Sequence, residues 1–208
     1  MLNKTQYISQ GNSIEEQIND IKSAVEAGYK FVQLRFKKAS REDLLAVAQK
    51  AKTICAQHQT TFIINDHVDI AKEIDADGVH LGLDDMNISA AKKILGDTKI
   101  IGGTANTLEH VLQRINEGCT YVGLGPFRFT TTKEKLSPIL GTEGYKKITG
   151  ELKKRNLSIP IYAIGGIEVD DVREILQQGI YGIAVSGVIS KAKNKEEIVN
   201  ALNKATHG

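Results

Sequence analysis

KFVQLRFKKASREDLLAVAQKAKTICAQH, residues 30–58, contains one complete strand-and-helix unit. Its first part is rich in aromatic and branched residues that suit a buried strand, which we predict over Lys30–Arg35. The second part, Ser40–His58, spaces its apolar residues three and four apart, as an amphipathic helix does. Ser40 is followed three residues later by Asp43, as in a capping box at a helix start. The stretch therefore predicts a strand, a loop and a helix.

The same unit recurs eight times along the chain. The strand candidates are Thr5–Ser9, Lys30–Arg35, Thr61–Ile64, Gly78–Leu81, Lys99–Gly102, Tyr121–Leu124, Ile161–Ile164 and Gly182–Val185. The helical patterns are Ser13–Ala27, Ser40–His58, Val68–Ile74, Ser89–Leu95, Thr107–Glu117, Tyr145–Lys154, Val169–Gln178 and Lys195–Lys204. Eight such units predict an α/β fold, a (β/α)8 TIM barrel, with residues 1–208 as a single domain. A doubly wound open sheet is the alternative, and the barrel is favoured because the count closes at eight.

Composition excludes several classes of protein. Hydrophobic residues make up 41% of the 208 residues, enough for a substantial core, and the formal net charge is only +2. Acidic and basic residues are interspersed, so we expect no nucleic-acid partner. No apolar run approaches the roughly 20 residues that span a bilayer, so we expect no membrane partner. Cys55 and Cys119 are far apart and the N-terminus lacks a signal peptide, which favours a reduced, cytoplasmic setting without disulfides or structural zinc.

The predicted barrel indicates where to look for an active site, because the active sites of such barrels lie in the loops that follow the strands. In strand 2, Gln33, Arg35 and Lys37 alternate onto one face, while Val32 and Leu34 occupy the other. Two cations near a barrel axis are costly without anionic partners, so this face predicts an anion site at the barrel mouth. The alternative is a solvated loop in which Arg35 pairs with a structural acid.

Carboxylates follow strands 3 and 4. Asp66 comes directly after strand 3, and Asp84 and Asp85 follow strand 4. Carboxylates at the ends of adjacent strands can converge on Mg²⁺, which takes one or two of them together with substrate phosphates. The alternative is that Asp66 caps the helix beginning at Val68. Two histidines nearby are interpreted as core or supporting residues rather than metal ligands: His67 and His80.

Two further regions suit phosphate. The long stretch Gly125–Gly141, after strand 6, carries three threonines with Lys133 and Lys135, and an ordinary polar surface loop is its alternative. Glycines after strands 7 and 8 let backbone N–H groups approach an anion, although tight turns alone would also explain them. These positions are Gly165, Gly166, Ser186 and Gly187. No nucleophile–base pair is evident, which suggests diphosphate as a leaving group.

Motifs at these positions resemble those of the thiamine-phosphate synthase family. They are VQLRFK (32–37), IND (64–66), ADGVHLG (76–82) with Asp85, YVGLGP (121–126), T-x-T-K (130–133) and AIGGI (163–167). The resemblance covers nearly the whole chain, and the ordered combination is specific although single motifs are not. It implies a (β/α)8 barrel that joins hydroxymethylpyrimidine diphosphate to thiazole phosphate with Mg²⁺. The products it implies are thiamine phosphate and diphosphate.

The resemblance also implies a role for particular residues. The pyrimidine diphosphate would meet Gln33, Arg35, Lys37, Asn65 and Lys133, while Mg²⁺ would be held by Asp66 and Asp85. Arg35, Lys37 and Lys133 would be catalytic because they neutralise charge on the departing diphosphate. The thiazole phosphate would lie against Gly166, Val185, Ser186 and Gly187, with Thr130 and Thr132 near the thiazole. A serine of the family falls at Thr104, which keeps the hydroxyl.

Three departures from the family pattern leave alternatives open. Leu83 replaces a usual Gln, YISQG (7–11) lacks a usual Asp, and Ser186–Gly187–Val188 replaces an apolar–Ser–Ala sequence. A thiazole tautomerase shares the Ser–Gly after strand 8 but lacks the aspartates and carries a catalytic His where this chain has Pro126. A non-catalytic binder of thiazole phosphate is the other alternative. A homo-oligomer and the use of a carboxylated thiazole phosphate are left open by the sequence.

Overall fold

The chain folds as a closed barrel of eight parallel strands, in a computed structural model that describes residues 2–129 and 138–207. The strands follow one another around the barrel in chain order, and the first pairs with the last, Tyr7 opposite Val185. The (β/α)8 prediction is therefore confirmed, and the open doubly wound sheet is wrong because that sheet has two free edges. No helix among residues 2–129 and 138–207 is long and apolar enough to cross a membrane.

Strands and helices alternate along the described chain, and two helices follow the last strand. The strands are β1 (Thr5–Ile8), β2 (Phe31–Leu34), β3 (Thr61–Asn65), β4 (Gly78–Leu81), β5 (Ile100–Ala105), β6 (Tyr121–Leu124), β7 (Ile161–Ile164) and β8 (Gly182–Val185). The helices are α1 (Ile14–Glu26), α2 (Arg41–Gln57), α3 (Val68–Glu73), α4 (Ile88–Leu95), α5 (Leu108–Asn116), α6 (Gly141–Lys154), α7 (Val172–Gln177), α8 (Gly187–Ser190) and α9 (Lys195–His207). A short 3₁₀ turn, Val169–Asp171, precedes α7.

Two layers of apolar side chains hold the barrel together. An inner cluster fills the barrel and includes Phe31, Tyr121 and Tyr162, whose rings meet edge to face at centroid distances of 5.2–5.9 Å. A larger cluster lies between the strands and the surrounding helices and includes Val32 and Leu34. Val32 and Leu34 therefore share the outward face of β2, and the prediction that they lie on the face opposite Gln33 is confirmed. Gln33, between them, therefore points into the barrel.

Glycines account for the main differences from the predicted elements. We predicted that β5 ends at Gly102, but the strand continues to Ala105. A Cβ at Gly102 would lie 2.2 Å from the Tyr121 ring, and one at Gly103 would lie 2.7 Å from Cys119 Sγ. Both glycines thus make room for neighbours rather than end the strand. Similarly, α6 begins at Gly141 instead of Tyr145. Its N-cap residue, Leu140, makes no side-chain capping hydrogen bond, so the sequence carries no capping signal at this start.

Candidate active site

The end of β2 is held by a buried polar cluster that the sequence did not reveal. Ser9 Oγ, just after β1, accepts a hydrogen bond from the Arg35 backbone N–H at 3.0 Å. The buried amide of Gln17, on α1, accepts from that same hydroxyl at 2.6 Å and donates to the Arg35 carbonyl at 3.0 Å. Both backbone groups of Arg35 are therefore fixed, which anchors the point where its side chain leaves the barrel rim.

Gln33 and Asn65 form an adjacent amide pair inside the barrel. Gln33 Nε2 donates to Asn65 Oδ1 at 2.7 Å, and both side chains are buried. Gln33 Oε1 is also buried, yet within the described part of the chain it accepts no hydrogen bond. A buried acceptor without a donor costs free energy, so this oxygen is suited to receive an N–H group from a ligand.

Asp66 and Asp85 bring two carboxylates together at the ends of β3 and β4. The two carboxyl groups are close enough to share a hydrogen bond when Asp66 is protonated, and Lys37 Nζ lies 3.7 Å from Asp66 Oδ2. Asp85 is oriented by the Gly82 N–H, which donates to its Oδ2 at 2.6 Å. A Cβ at Gly82 would lie 2.7 Å from that oxygen, so a larger residue there would displace the carboxylate. The three loops after β2, β3 and β4 thus meet at one place.

The backbone of Asp66 is not that of a helix cap. Its φ of 65° lies in the left-handed region, which is uncommon for residues other than glycine. The residue that caps α3 is His67, and no side chain makes the capping hydrogen bond. The alternative in which Asp66 caps this helix is therefore wrong. Strained conformations of this kind cluster at functional sites.

The Asp66 carboxyl holds its proton more tightly than an exposed aspartate does. Burial first, and then the hydrogen bond and charge of Asp85, raise the pKa of Asp66 from its ordinary 3.8 to about 6. Lys37 and Arg35 act in the opposite direction. Near neutral pH the ionised Asp66 carboxylate is therefore buried beside a second carboxylate, and a bound cation would stabilise it.

We expect this charge to appear in the pH dependence of stability. Because the folded-state pKa of Asp66 is raised, the folded protein binds more protons than the unfolded chain between pH 3.8 and about 6. Its contribution to the free energy of unfolding therefore falls as pH rises through that window. Denaturant unfolding of metal-free wild type and Asp66→Asn should show the variant gaining relative stability with pH. Parallel curves would contradict the assigned pKa shift.

Arg114 connects the loop carrying Asp85 to β5. Its side chain is buried and paired with Glu117 at 2.7 Å. It donates to the Gly82 carbonyl at 2.9 Å and to the Thr104 carbonyl at 3.2 Å. Thr104 itself faces the barrel and lies 3.0 Å from His80 through Oγ1 and Nε2. Arg114 therefore keeps Thr104 and the Asp85 loop on the same side of the mouth.

The glycines after β7 allow close backbone packing against the start of the loop after β6. Gly165 and Gly166 have φ angles of 99° and 68°, and a Cβ at Gly166 would lie 2.4 Å from Arg128 Cγ. Arg128 donates to the Gly166 carbonyl at 2.7 Å and pairs with both carboxylate oxygens of Asp171 at 2.7 Å. This bidentate pair ties the loops after β6 and β7 together.

The segment after β8 offers backbone groups more than side chains. Val185 is buried and packs in the outer cluster. The Ser186 hydroxyl donates to the Ile8 carbonyl at 2.5 Å, so it is engaged within the protein. Gly187 begins α8, a short helix absent from the predicted elements. The Ile189 and Ser190 N–H groups both donate to the Ser186 carbonyl at 3.0 Å, so the free N–H groups of a helix start are limited here to its first two residues.

The remaining candidates fall outside the residues that the structure describes. These are Thr130, Thr132 and Lys133. Within residues 2–129 and 138–207, no group of three or more His, Cys, Asp or Glu side chains could hold a metal ion. Leu83, which departs from the family pattern, is 38% exposed in the same loop as Asp85.

Comparison with known proteins decides the family. The family model described as thiamine monophosphate synthase matches residues 6–189. This chain belongs to the thiamine monophosphate synthase family. The thiamine-phosphate synthase of Flavobacterium psychrophilum is 55% identical over 204 residues, which cover 98% of this chain and 99% of that protein. That of Flavobacterium johnsoniae is 50% identical over 203 residues, covering 98% and 96%.

A solved structure supports the same assignment. Thiamine phosphate pyrophosphorylase from Pyrococcus furiosus superposes with a TM-score of 0.85 at 31% identity, covering 98% of this chain and 95% of that one. The resemblance deduced from the motifs is therefore confirmed, and the chain is an enzyme of the transferase class that works in thiamine biosynthesis. The supporting residues Gln17, Arg114 and Arg128 were missed, because their partners lie far away in sequence or carry no motif.

Proposed function

We propose that this chain couples hydroxymethylpyrimidine diphosphate to thiazole phosphate, giving thiamine phosphate and diphosphate. One observation carries the proposal. The cationic end of β2 meets a close pair of carboxylates, beside a buried amide oxygen that lacks a donor among the described residues. A diphosphate accompanied by a metal ion, together with an aminopyrimidine, would satisfy these three features. A phosphate monoester alone needs none of them.

Mg²⁺ fits the donor set of this site. Asp66 and Asp85 supply hard carboxylate oxygens, and the raised pKa of Asp66 marks a place where positive charge is favoured. When bound, the ion would supply Lewis-acid neutralisation of the diphosphate oxygens. Two carboxylates are also the number that leaves room for substrate phosphates, as Mg²⁺ prefers. We therefore include Mg²⁺ dependence in the proposal.

The residues of the chain stabilise the leaving group. Breaking the bond between the pyrimidine methylene and the diphosphate oxygen leaves negative charge on the diphosphate and positive charge on the aminopyrimidine. Arg35 and Lys37, whose charges act on Asp66, would neutralise the negative charge, and we add Lys133 to them on the strength of the motif. The thiazole nitrogen then donates its electron pair to the methylene carbon, forming the new C–N bond. No side-chain nucleophile is required.

Gln33 is proposed to recognise the exocyclic amino group of the pyrimidine through its buried Oε1. Gln33→Leu should therefore raise the KM for the pyrimidine diphosphate about tenfold or more, the usual cost of an unmade hydrogen bond at a polar site. The KM for thiazole phosphate should stay within about twofold. Steady-state kinetics with each substrate varied in turn would measure both. Equal changes in the two constants would refute the assignment, and Gln49→Leu, at an exposed position, is the control.

The thiazole phosphate is proposed to bind at the loops after β7 and β8. Gly166 and the Val185–Gly187 segment would contribute backbone N–H groups, which need no particular side chain. The departure at Ser186–Gly187 is consistent with this, because the Ser186 hydroxyl is already occupied by the Ile8 carbonyl. Thr130 and Thr132 would lie near the thiazole ring. Small-molecule substrates and a cytoplasmic location complete the proposal, and both cysteines are free thiols.

The alternatives fit less well. A thiazole tautomerase or a binder of thiazole phosphate has no use for a diphosphate site, yet Asp66, Asp85 and Lys37 are brought together. The position where a tautomerase carries its histidine is Pro126. Incubation of the protein with both substrates and Mg²⁺, with product oxidised to fluorescent thiochrome, tests the choice. We expect product that EDTA abolishes; folded protein that binds thiazole phosphate but forms no product would favour the alternatives.

A further inference from the structure

Four side chains form a continuous row of hydrogen bonds inside the barrel. Gln6 Nε2 lies 3.0 Å from the Tyr121 hydroxyl, and that hydroxyl lies 2.9 Å from His80 Nδ1. His80 Nε2 lies 3.0 Å from Thr104 Oγ1. Gln6, Tyr121 and His80 are buried, at 1%, 0% and 7% exposure, whereas Thr104 is partly exposed. The row therefore runs from the closed interior to the barrel mouth.

The donors in this row point in one direction. The Gln6 amide nitrogen can only donate, so the Tyr121 oxygen accepts from it. Tyr121 has one proton, and a buried hydroxyl needs an acceptor, which His80 Nδ1 supplies. A neutral imidazole that accepts at one nitrogen carries its proton on the other. His80 Nε2–H therefore donates to Thr104 Oγ1, and the Thr104 proton is left to point away from His80.

Space for this row is built into the strands. A Cβ at Gly102 would lie 2.5 Å from the Tyr121 hydroxyl oxygen, and one at Gly123 would lie 3.1 Å from His80 Cε1. Inward-facing glycines on β5 and β6 thus allow the phenol and the imidazole to meet. A larger residue at either position would separate or tilt the rings. The row is a built feature of the barrel, in addition to its apolar packing.

We infer that His80, held by Tyr121 and Gln6, is a positioning residue that keeps the Thr104 hydroxyl oriented as a donor to the departing diphosphate. The inference rests on the proposed function. Diphosphate oxygens accept hydrogen bonds and donate none, so a hydroxyl helps them only when its proton points toward them. Arg114 joins the Thr104 backbone to the loop that carries Asp85, which places this hydroxyl on the diphosphate side of the mouth.

The state of His80 can be measured without any substrate. In ¹⁵N-labelled protein, long-range proton–nitrogen correlations of the imidazole rings distinguish the two neutral tautomers, with the His80 ring assigned through its own backbone. We expect His80 as the Nε2–H tautomer, with Nδ1 unprotonated. In Tyr121→Phe we expect this preference to weaken, because Nδ1 loses its donor. A dominant Nδ1–H tautomer in the wild type would overturn the inference.

Kinetics test whether the row acts through Thr104. Thr104→Val and Tyr121→Phe should each lower kcat by about tenfold, the equivalent of one hydrogen bond, with smaller effects on KM. Thr104→Ser should restore most of the activity. Because Tyr121 acts through Thr104, the double variant should be no slower than Thr104→Val alone. Tyr162→Phe is the matched control: it removes another buried hydroxyl from the same aromatic cluster, bonded instead to the Asn3 carbonyl, and should leave kcat unchanged.

The outcomes separate this inference from the proposed function. If the wild type makes thiamine phosphate but the losses in Thr104→Val and Tyr121→Phe multiply, the positioning role fails and the function stands. If Tyr162→Phe lowers kcat as much as Tyr121→Phe, general loosening of the barrel explains both and the positioning role also fails. If no product forms from the wild type, the proposed function fails, and with it the role assigned to Thr104, whatever tautomer His80 adopts.

Discussion

Asp66→Asn is expected to lower kcat for thiamine phosphate formation by about 10²–10³-fold, the usual cost of removing one electrostatic group that acts in the transition state. The substitution keeps the size of the side chain and removes one of the two proposed metal-binding carboxylates. Asparagine also tolerates the left-handed backbone at φ 65°, so the loop should keep its shape. The loss should therefore come from charge rather than from unfolding. The Mg²⁺ concentration for half-maximal activity should rise as well.

The same variant should be more stable than the wild type in the absence of metal at neutral pH. In the wild type, burial and the neighbouring Asp85 raise the pKa of Asp66, so ionising Asp66 at neutral pH costs stability. Asparagine is neutral and does not carry this cost. Lost activity with gained stability is typical of a functional site and not of a structural one. Asp69→Asn removes an equal charge from an exposed position three residues away, where Asp69 pairs with Arg41 at 3.0 Å. Unchanged Mg²⁺ dependence in Asp66→Asn would refute the ligand assignment.

Arg35→Met is expected to lower kcat by about 10²-fold or more, because a cation at the leaving group acts mainly in the transition state. Ser9 and Gln17 hold the backbone of Arg35 in place. The end of β2 should therefore not move to bring another cation into the position of the lost guanidinium. Arg35→Lys should recover only part of the rate, since an ammonium group cannot make the two parallel contacts of a guanidinium.

The control for this prediction is the same substitution at an arginine outside the proposed site. Arg41→Met removes an exposed guanidinium that pairs with Asp69 and Glu73 at the start of α2. We expect its activity to match the wild type. Thermal unfolding of each variant, read beside initial rates, would separate stability from catalysis. If the kcat of Arg35→Met is within about threefold of the wild-type value, Arg35 does not act on the leaving group.

Periodicity alone was enough to predict the barrel. Each strand of a parallel barrel is short and apolar, and each is followed by an amphipathic helix, so the repeat can be counted directly. The same topology predicts that the ends of β2, β3 and β4 lie together, which is where Lys37 and Asp66 meet. The proximity of these residues could therefore be predicted from the order of the strands alone.

Contacts between distant residues were not visible in the sequence. Arg114 lies on α5 and holds the backbone of loops after β4 and β5, while Gln17 on α1 holds the end of β2. Each appears in the sequence as an ordinary polar helix residue, and only burial distinguishes it. Glycines were also misleading. We placed the end of β5 at Gly102, but this glycine makes room for Tyr121 within a longer strand. The helix α6 begins at Gly141, a residue that does not predict a helix start.

The most direct test follows both halves of the proposed reaction in one tube. Phosphorus NMR of the protein with hydroxymethylpyrimidine diphosphate, thiazole phosphate and Mg²⁺ resolves the starting diphosphate ester, free diphosphate and the two phosphate monoesters. We expect free diphosphate and thiamine phosphate to appear in equal amounts, and neither to appear with Asp66→Asn on the same time scale. Diphosphate released without thiamine phosphate, or no change from folded wild-type protein, would contradict the coupling of the two substrates at this site.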